Sequence, residues 1–84
     1  MYWDVVKVSP RENMILDVQF ADGTQGVVHF KPAYFTGVFK PLSNPDFFAS
    51  VFVDDGVVSW TGELDLAPDA MYQAIKENGT WVLS

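Results

Sequence analysis

No cysteine occurs among the 84 residues, which removes disulfides, thiolate catalysis and cysteine-ligated zinc from consideration. The chain fits a reducing compartment, and a cytoplasmic location is the expectation. Histidine is nearly as scarce. His29 stands alone, and a metal or catalytic role for it needs partners that no local spacing supplies. Lys and Arg number five against eleven Asp and Glu, for a net charge of −6. Phosphate neutralisation needs clustered cations, so direct nucleic-acid binding is not expected. Long apolar runs are missing too: none approaches the ~18 to 20 residues that span a bilayer, and the opening residues show neither the basic start nor the small-residue cleavage site of a leader. No membrane association is expected. Gly-x-Gly-x-x-Gly, Gly-Lys-Ser/Thr and Gly-x-Ser-x-Gly are all absent, which leaves nucleotide binding and a nucleophile elbow without support.

What is present is core material. Hydrophobic residues make up 49% and aromatics 15% of the chain, which excludes disorder on composition. A chain of this length reads as one domain, residues 1–84, burying about 60 to 65% of its unfolded surface. Its clearest element is a hairpin. Met14, Leu16, Val18 and Phe20 alternate with polar Asp17 and Gln19, the period of a half-buried strand, and Asp22-Gly23 marks the reversal. A two-residue loop would set Leu16 opposite His29 and turn Val28 and Phe30 to the wrong face. A three-residue loop, Ala21-Asp22-Gly23 with Gly23 in the left-handed bulge position, sets Leu16 opposite Val28 and Met14 opposite Phe30. The second register is expected, with His29 partly exposed near Ile15.

Tyr2 to Val8 reads as a first strand, covered on at least part of both faces because apolar residues occupy both parities. Ser9 and Pro10 end it, and the short turn Arg11-Glu12-Asn13 makes a three-stranded meander. Residues 31–43 break the period with two prolines and a glycine; Pro32 to Thr36 suits one helical turn, and the aromatics there plug an edge or end of the sheet. Asn44-Pro45-Asp46 caps and starts a short helix. A second hairpin follows, Val51 to Val53 and Val57 to Trp60, turned by Asp54-Asp55-Gly56 and similar in design to the first. Pro68 to Asn78 is the substantial helix. Pro68 and Asp69 suit its start, Gly79 its left-handed stop, and Met71, Tyr72 and Ile75 form the stripe that lies on the sheet. Thr80 to Leu83 is a last strand or an ordered tail; the alternative is a segment that pairs with another chain to give a homodimer. The fold class expected is α+β: an antiparallel sheet of about five strands built from hairpins, a short mid-chain helical turn, and a C-terminal helix packed on one face.

Asp54, Asp55, Glu63, Asp65 and Asp69 place five carboxylates between the second turn and the helix start. They match no calcium loop. Asp55 and Asp69 have local duties in the turn and at the helix N-terminus, and the group reads best as a polar rim for a basic partner. Neither a cofactor nor a bound metal is expected. The alternative is a small-ligand or metal-binding site, with possible enzymatic use of the carboxylates around Asp65 and Asp69.

A strand ending in Trp60, a loop holding Gly62 and Asp65, and the helix start Ala67-Pro68-Asp69 followed by Tyr72 resemble a bacterial family, DUF2442, whose activity is unassigned. Phe20-Ala21-Asp22-Gly23, Gly37-Val38-Phe39 with Pro41-Leu42, and Pro45-Asp46-Phe47-Phe48 extend the resemblance over nearly the whole chain. It implies a small antitoxin-like protein, one half of a two-gene pair. Some relatives carry a DNA-binding helix-turn-helix that this sequence does not contain. The function expected is therefore a non-enzymatic protein-interaction module, with Glu63, Asp65, Asp69, Trp60 and Tyr72 as partner-contact residues.

Overall fold

The computed structural model describes residues 1–84. Strands β1 (Val5–Arg11), β2 (Ile15–Phe20) and β3 (Gln25–Phe30) form the meander. Its central hairpin follows the three-residue turn. Phe20 donates its N–H to the Thr24 carbonyl at 2.8 Å, Gly23 takes φ of +90°, and Asp22 accepts from the Thr24 N–H at 2.9 Å. Leu16 faces Val28 and Ile15 faces His29, while the Phe30 N–H reaches the Met14 carbonyl at 3.0 Å. Gly23 supplies the left-handed turn, and parity then sends Leu16, Val18, Phe20, Val28 and Phe30 to the buried face.

β1 departs from expectation at both ends. Tyr2 and Trp3 lie in a turn, and the strand runs on through Ser9 and Pro10 to Arg11. Proline is tolerated because β1 is an edge strand and its missing N–H faces away from β2. Nor is β1 covered on both faces: Val5 is buried and Val8 half-buried, but a register shift between Val5 and Lys7 leaves Val6 exposed.

Residues 31–43 hold two 3-10 segments, Pro32–Tyr34 and Gly37–Ser43. The expected single turn is the first of them. Phe35 stacks on Phe30 at 6.0 Å between ring centroids, Tyr34 sits 4.8 Å from Phe39, and Leu42 is fully buried, so this segment does close one end of the core. Helix α1 (Pro45–Ala49) is capped by the Asn44 side chain, which accepts from the Asp46 and Phe47 N–H groups.

β4 (Phe52–Asp54), β5 (Val57–Trp60) and β6 (Leu64–Asp65) make a separate three-stranded antiparallel sheet. The two Asp-Gly turns are built differently. Asp54 pairs directly with Val57, leaving a two-residue loop with Asp55 at φ +50° and Gly56 at +82°, the geometry of a type I′ hairpin. A third hairpin joins Trp60 to Leu64. Helix α2 (Pro68–Asn78) starts at Pro68 and stops at Gly79, which has φ of +77°. Strand β7 (Thr80–Leu83) then lies parallel to β3, giving the order β1-β2-β3-β7.

The architecture is α+β, with antiparallel hairpins and the C-terminal helix on one face. Its seven strands divide into two sheets of four and three. The division follows from residues 31–50, which carry the chain away from β3 before the second hairpin forms. One cluster of 15 buried apolar residues joins both sheets and α2, with Trp60 and Phe20 its largest members. No helix is long and apolar enough to cross a membrane.

Candidate functional site

Tyr72 lies one turn into α2 and points at the turn of the first hairpin, fifty residues earlier. Its hydroxyl donates to Asp22 Oδ2 at 2.6 Å. Lys76, one turn further on, reaches Thr24 Oγ1 at 3.4 Å and stands 6.0 Å from the Tyr72 ring. Tyr2 and Phe20 each meet that ring edge-on at 5.1 Å. The hydrogen bond from Tyr72, reinforced by those from Thr24, holds Asp22 down at about 2, and the same bond pushes the Tyr72 phenol up. Charge-assisted hydrogen bonds favour the ionised carboxylate and the protonated phenol together.

This has a pH consequence. Asp22 has a depressed folded-state pKa, so its contribution to stability is fully present above its ordinary value of 3.8 and disappears as pH falls through about 2. Tyr72 is raised, so its contribution holds below the ordinary 10.0 and goes as pH climbs through the higher folded value. Tyr72→Phe should therefore return the Asp22 carboxyl toward its ordinary value and remove this part of the acid-side dependence. Carboxyl titration by NMR reads this directly; an unmoved Asp22 would show that the Tyr72 bond is not what holds it.

Beside this cluster, Asp69 joins Tyr2, Trp3, Gln73 and Glu77 around a shallow hollow of about 380 Å³. Its carboxylate also accepts from the Ala70 N–H at 2.9 Å, a helix-start duty that matches its position in the first turn.

Glu63 and Asp65 lie elsewhere. The outer face of the small sheet carries Phe52 opposite Ser59, and Ser59 opposite Asp65. Asp54, Thr61 and Glu63 complete the rim of a hollow of about 570 Å³. Asp54, Glu63 and Asp65 are exposed, as is Phe52 at 42%. Both ion pairs of the molecule, Met1–Asp4 and Arg11–Asp17, lie outside this hollow, and no cation lines it. Glu63 has φ of +66°, a conformation that costs a non-glycine residue about 1 to 2 kcal/mol.

The five residues expected at a partner contact are thus divided among three places. Glu63 and Asp65 share the acidic hollow, Asp69 and Tyr72 belong to the α2 cluster, and Trp60 is 1% exposed. Trp60 is taken into the core, where its indole N–H donates to the Phe48 carbonyl at 3.0 Å. No group of three or more carboxylate, histidine or cysteine side chains is arranged to hold a metal ion, so the metal-site alternative gains no geometric support. Phe52 escaped sequence reasoning because Val51-Phe52-Val53 is an unbroken apolar run with no alternation to mark an outward residue. Asp22 and Lys76 escaped it because their link to Tyr72 and Thr24 is long-range.

The geometry accounts for the two most distinctive sequence features together. The aspartate of the Phe20-Ala21-Asp22-Gly23 turn is bonded by the tyrosine that follows the Ala67-Pro68-Asp69 helix start, and Trp60 anchors the strand before it. No curated protein and no solved structure matches the chain significantly. Residues 5–77 match the family described as "Protein of unknown function (DUF2442)", and the chain belongs to that family.

Proposed function

We propose that the protein is a non-enzymatic interaction module, antitoxin-like or regulatory, acting in the bacterial cytoplasm by holding a basic segment of a protein partner. The observation that carries this reading is the acidic hollow, which Asp54, Glu63 and Asp65 line together with exposed Phe52 and without an internal cation. A lysine or arginine side chain fits such a site twice over: its stem lies on the phenylalanine and its charged head meets the carboxylates. Glu63 supports the reading in another way. Glycine suits its left-handed backbone better, so the glutamate stands there at some cost to the fold.

The test is affinity capture from a lysate of the source organism at low and moderate salt. One stoichiometric basic partner is expected, released as salt rises because exposed charges are screened over about 10 Å at 0.1 M. Glu63→Lys with Asp65→Lys should weaken that partner's affinity at least about tenfold, through the association rate and salt dependence first. Glu63→Gly separates the two duties of this position. It should stabilise the fold by about 1 kcal/mol while weakening capture. A partner bound equally well by all three proteins, or no partner at either salt, overturns the reading.

A further inference from the structure

The four-stranded sheet ends in two edges, and they are guarded unequally. β1 carries Pro10, the charges of Lys7 and Arg11, and a register shift at Val6. Its start is also tied to the second hairpin, the Val5 N–H donating to the Gly56 carbonyl at 2.9 Å. Each of these is a recognised way of blocking strand addition. β7 has none of them. Thr80, Trp81, Val82 and Leu83 are uncharged, free of proline and regular in register from Val27–Thr80 to Phe30–Leu83.

The hydrogen bonding of β7 shows which of its groups are free. The Gly79 carbonyl accepts from Val27 at 3.3 Å and the Leu83 carbonyl from Lys31 at 2.8 Å. Along a parallel ladder alternate residues bond the same neighbour, so Thr80 and Val82 direct their N–H and C=O groups away from β3. The side chain of Val82 is also 48% exposed, on the sheet face opposite α2.

We propose that β7 is the seam of a symmetric dimer in which two copies of this chain pair their last strands antiparallel. The edge itself selects the occupant. No acidic or basic side chain stands on β7, so a charged strand gains no side-chain partner there. An uncharged, β-branched and aromatic strand fits, and β7 is such a strand. A two-fold axis at Val82 uses every outward group: Val82 bonds its counterpart, Thr80 bonds Ser84 of the second copy, and Trp81 lies against Leu83 on the helix side. For a chain of net charge −6, the seam is a place where two copies meet without opposing carboxylate side chains. Because the two chains repel elsewhere, added salt strengthens the dimer, opposite in sign to its effect on capture of a basic partner. This surface is separate from the acidic hollow.

Sedimentation equilibrium on the 84-residue chain tests the proposal. Between about 10 µM and about 1 mM, the range of a small interface, the mass should rise from 9.4 kDa toward twice that value. Amide exchange at Thr80 and Val82 should slow with concentration. Val82→Pro removes an outward donor and leaves the β3 ladder intact, and Val82→Lys puts like charges at the seam; both should stay at 9.4 kDa. Should Val82→Pro lose its circular-dichroism signature, Val82→Lys decides. A wild-type chain that stays monomeric throughout overturns the proposal and leaves the edge to a different strand. Dimers that persist in a folded variant, or that dissociate as salt rises, overturn it by placing the contact elsewhere.

Discussion

Trp60→Ala should cost about 3 to 5 kcal/mol, the range for truncating a large buried aromatic, and remove most of the stability of a chain this small. Trp60 is 1% exposed, with the rings of Phe30 and Phe48 at 6.1 and 6.2 Å. Truncation opens a cavity between the two sheets that these neighbours cannot both fill. It also takes the indole N–H from the Phe48 carbonyl, leaving there the long 3.4 Å bond from Val51. At roughly 0.05 to 0.15 kcal/mol per residue the whole fold is worth about 4 to 13 kcal/mol. A midpoint lower by about 15 to 30 °C is expected. Trp60→Phe keeps most of the ring contacts and should lose only about 1 to 2 kcal/mol, chiefly the hydrogen bond. Scanning calorimetry on the pair decides the role of this residue. An alanine variant that melts with the wild type would return Trp60 to the surface as a contact residue.

That result bears on the whole run from Trp60 to Tyr72, because its most distinctive side chains are engaged within the fold. Trp60 joins the small sheet to α1, and Tyr72 joins α2 to the first hairpin. Among the carboxylates that this run leaves exposed, Glu63 and Asp65 face one hollow with Asp54 and Phe52 of the neighbouring strand, and Asp69 faces the other. Structural duties and the proposed binding duties therefore fall on different residues of one short stretch. Substitutions at Trp60 should act through stability, and those at Glu63 through affinity.

The parts of the fold legible in the sequence are those decided within a few residues. Parity at Val28 and Phe30 selected a three-residue turn at Gly23, and Pro68 with Gly79 bounded α2. Asn44 announced its cap by its place before Pro45 and Asp46. Choices made over long separations were not legible. Nothing near Thr80 says that it pairs parallel with β3 rather than antiparallel, and nothing near Val51 says that its hairpin leaves the first sheet. The candidate site divides along the same line. Asp65 and Asp69 are close in sequence, yet Leu66 turns into the core between them and sends the two carboxylates to different hollows. Trp60 and Phe52 show why hydrophobicity alone could not assign a face: one is core and the other surface, according to which side of a three-stranded sheet each occupies.

Gly26→Ala tests the long-range packing that the sequence left open. A methyl group built on Gly26 would stand 2.5 Å from Ile75 Cγ2 and 2.7 Å from the Gly79 carbonyl oxygen. Ile75 is 3% exposed and has little freedom to move aside. The Gly79 oxygen is backbone, and its chain is fixed on one side by the Ile75–Gly79 bond at 2.7 Å and on the other by its bond from Val27 at 3.3 Å. Relief therefore requires the end of α2 to lift from β3. Overpacking of this kind costs about 1 to 3 kcal/mol, and the added methyl should reach the upper part of that range because it meets backbone. The expected fall in melting temperature is about 10 to 20 °C. Replacing Gly23 by alanine separates steric contact from backbone freedom, since that position has open space but φ of +90°. It should cost about 1 kcal/mol through conformation alone. Amide exchange locates the effect: Gly26→Ala should loosen the Val27 and Lys31 amides that bond to Gly79 and Leu83, while Gly23→Ala should leave them protected. If Gly26→Ala melts with the wild type, α2 does not approach β3 this closely, and β7 loses the support that aligns it along the sheet.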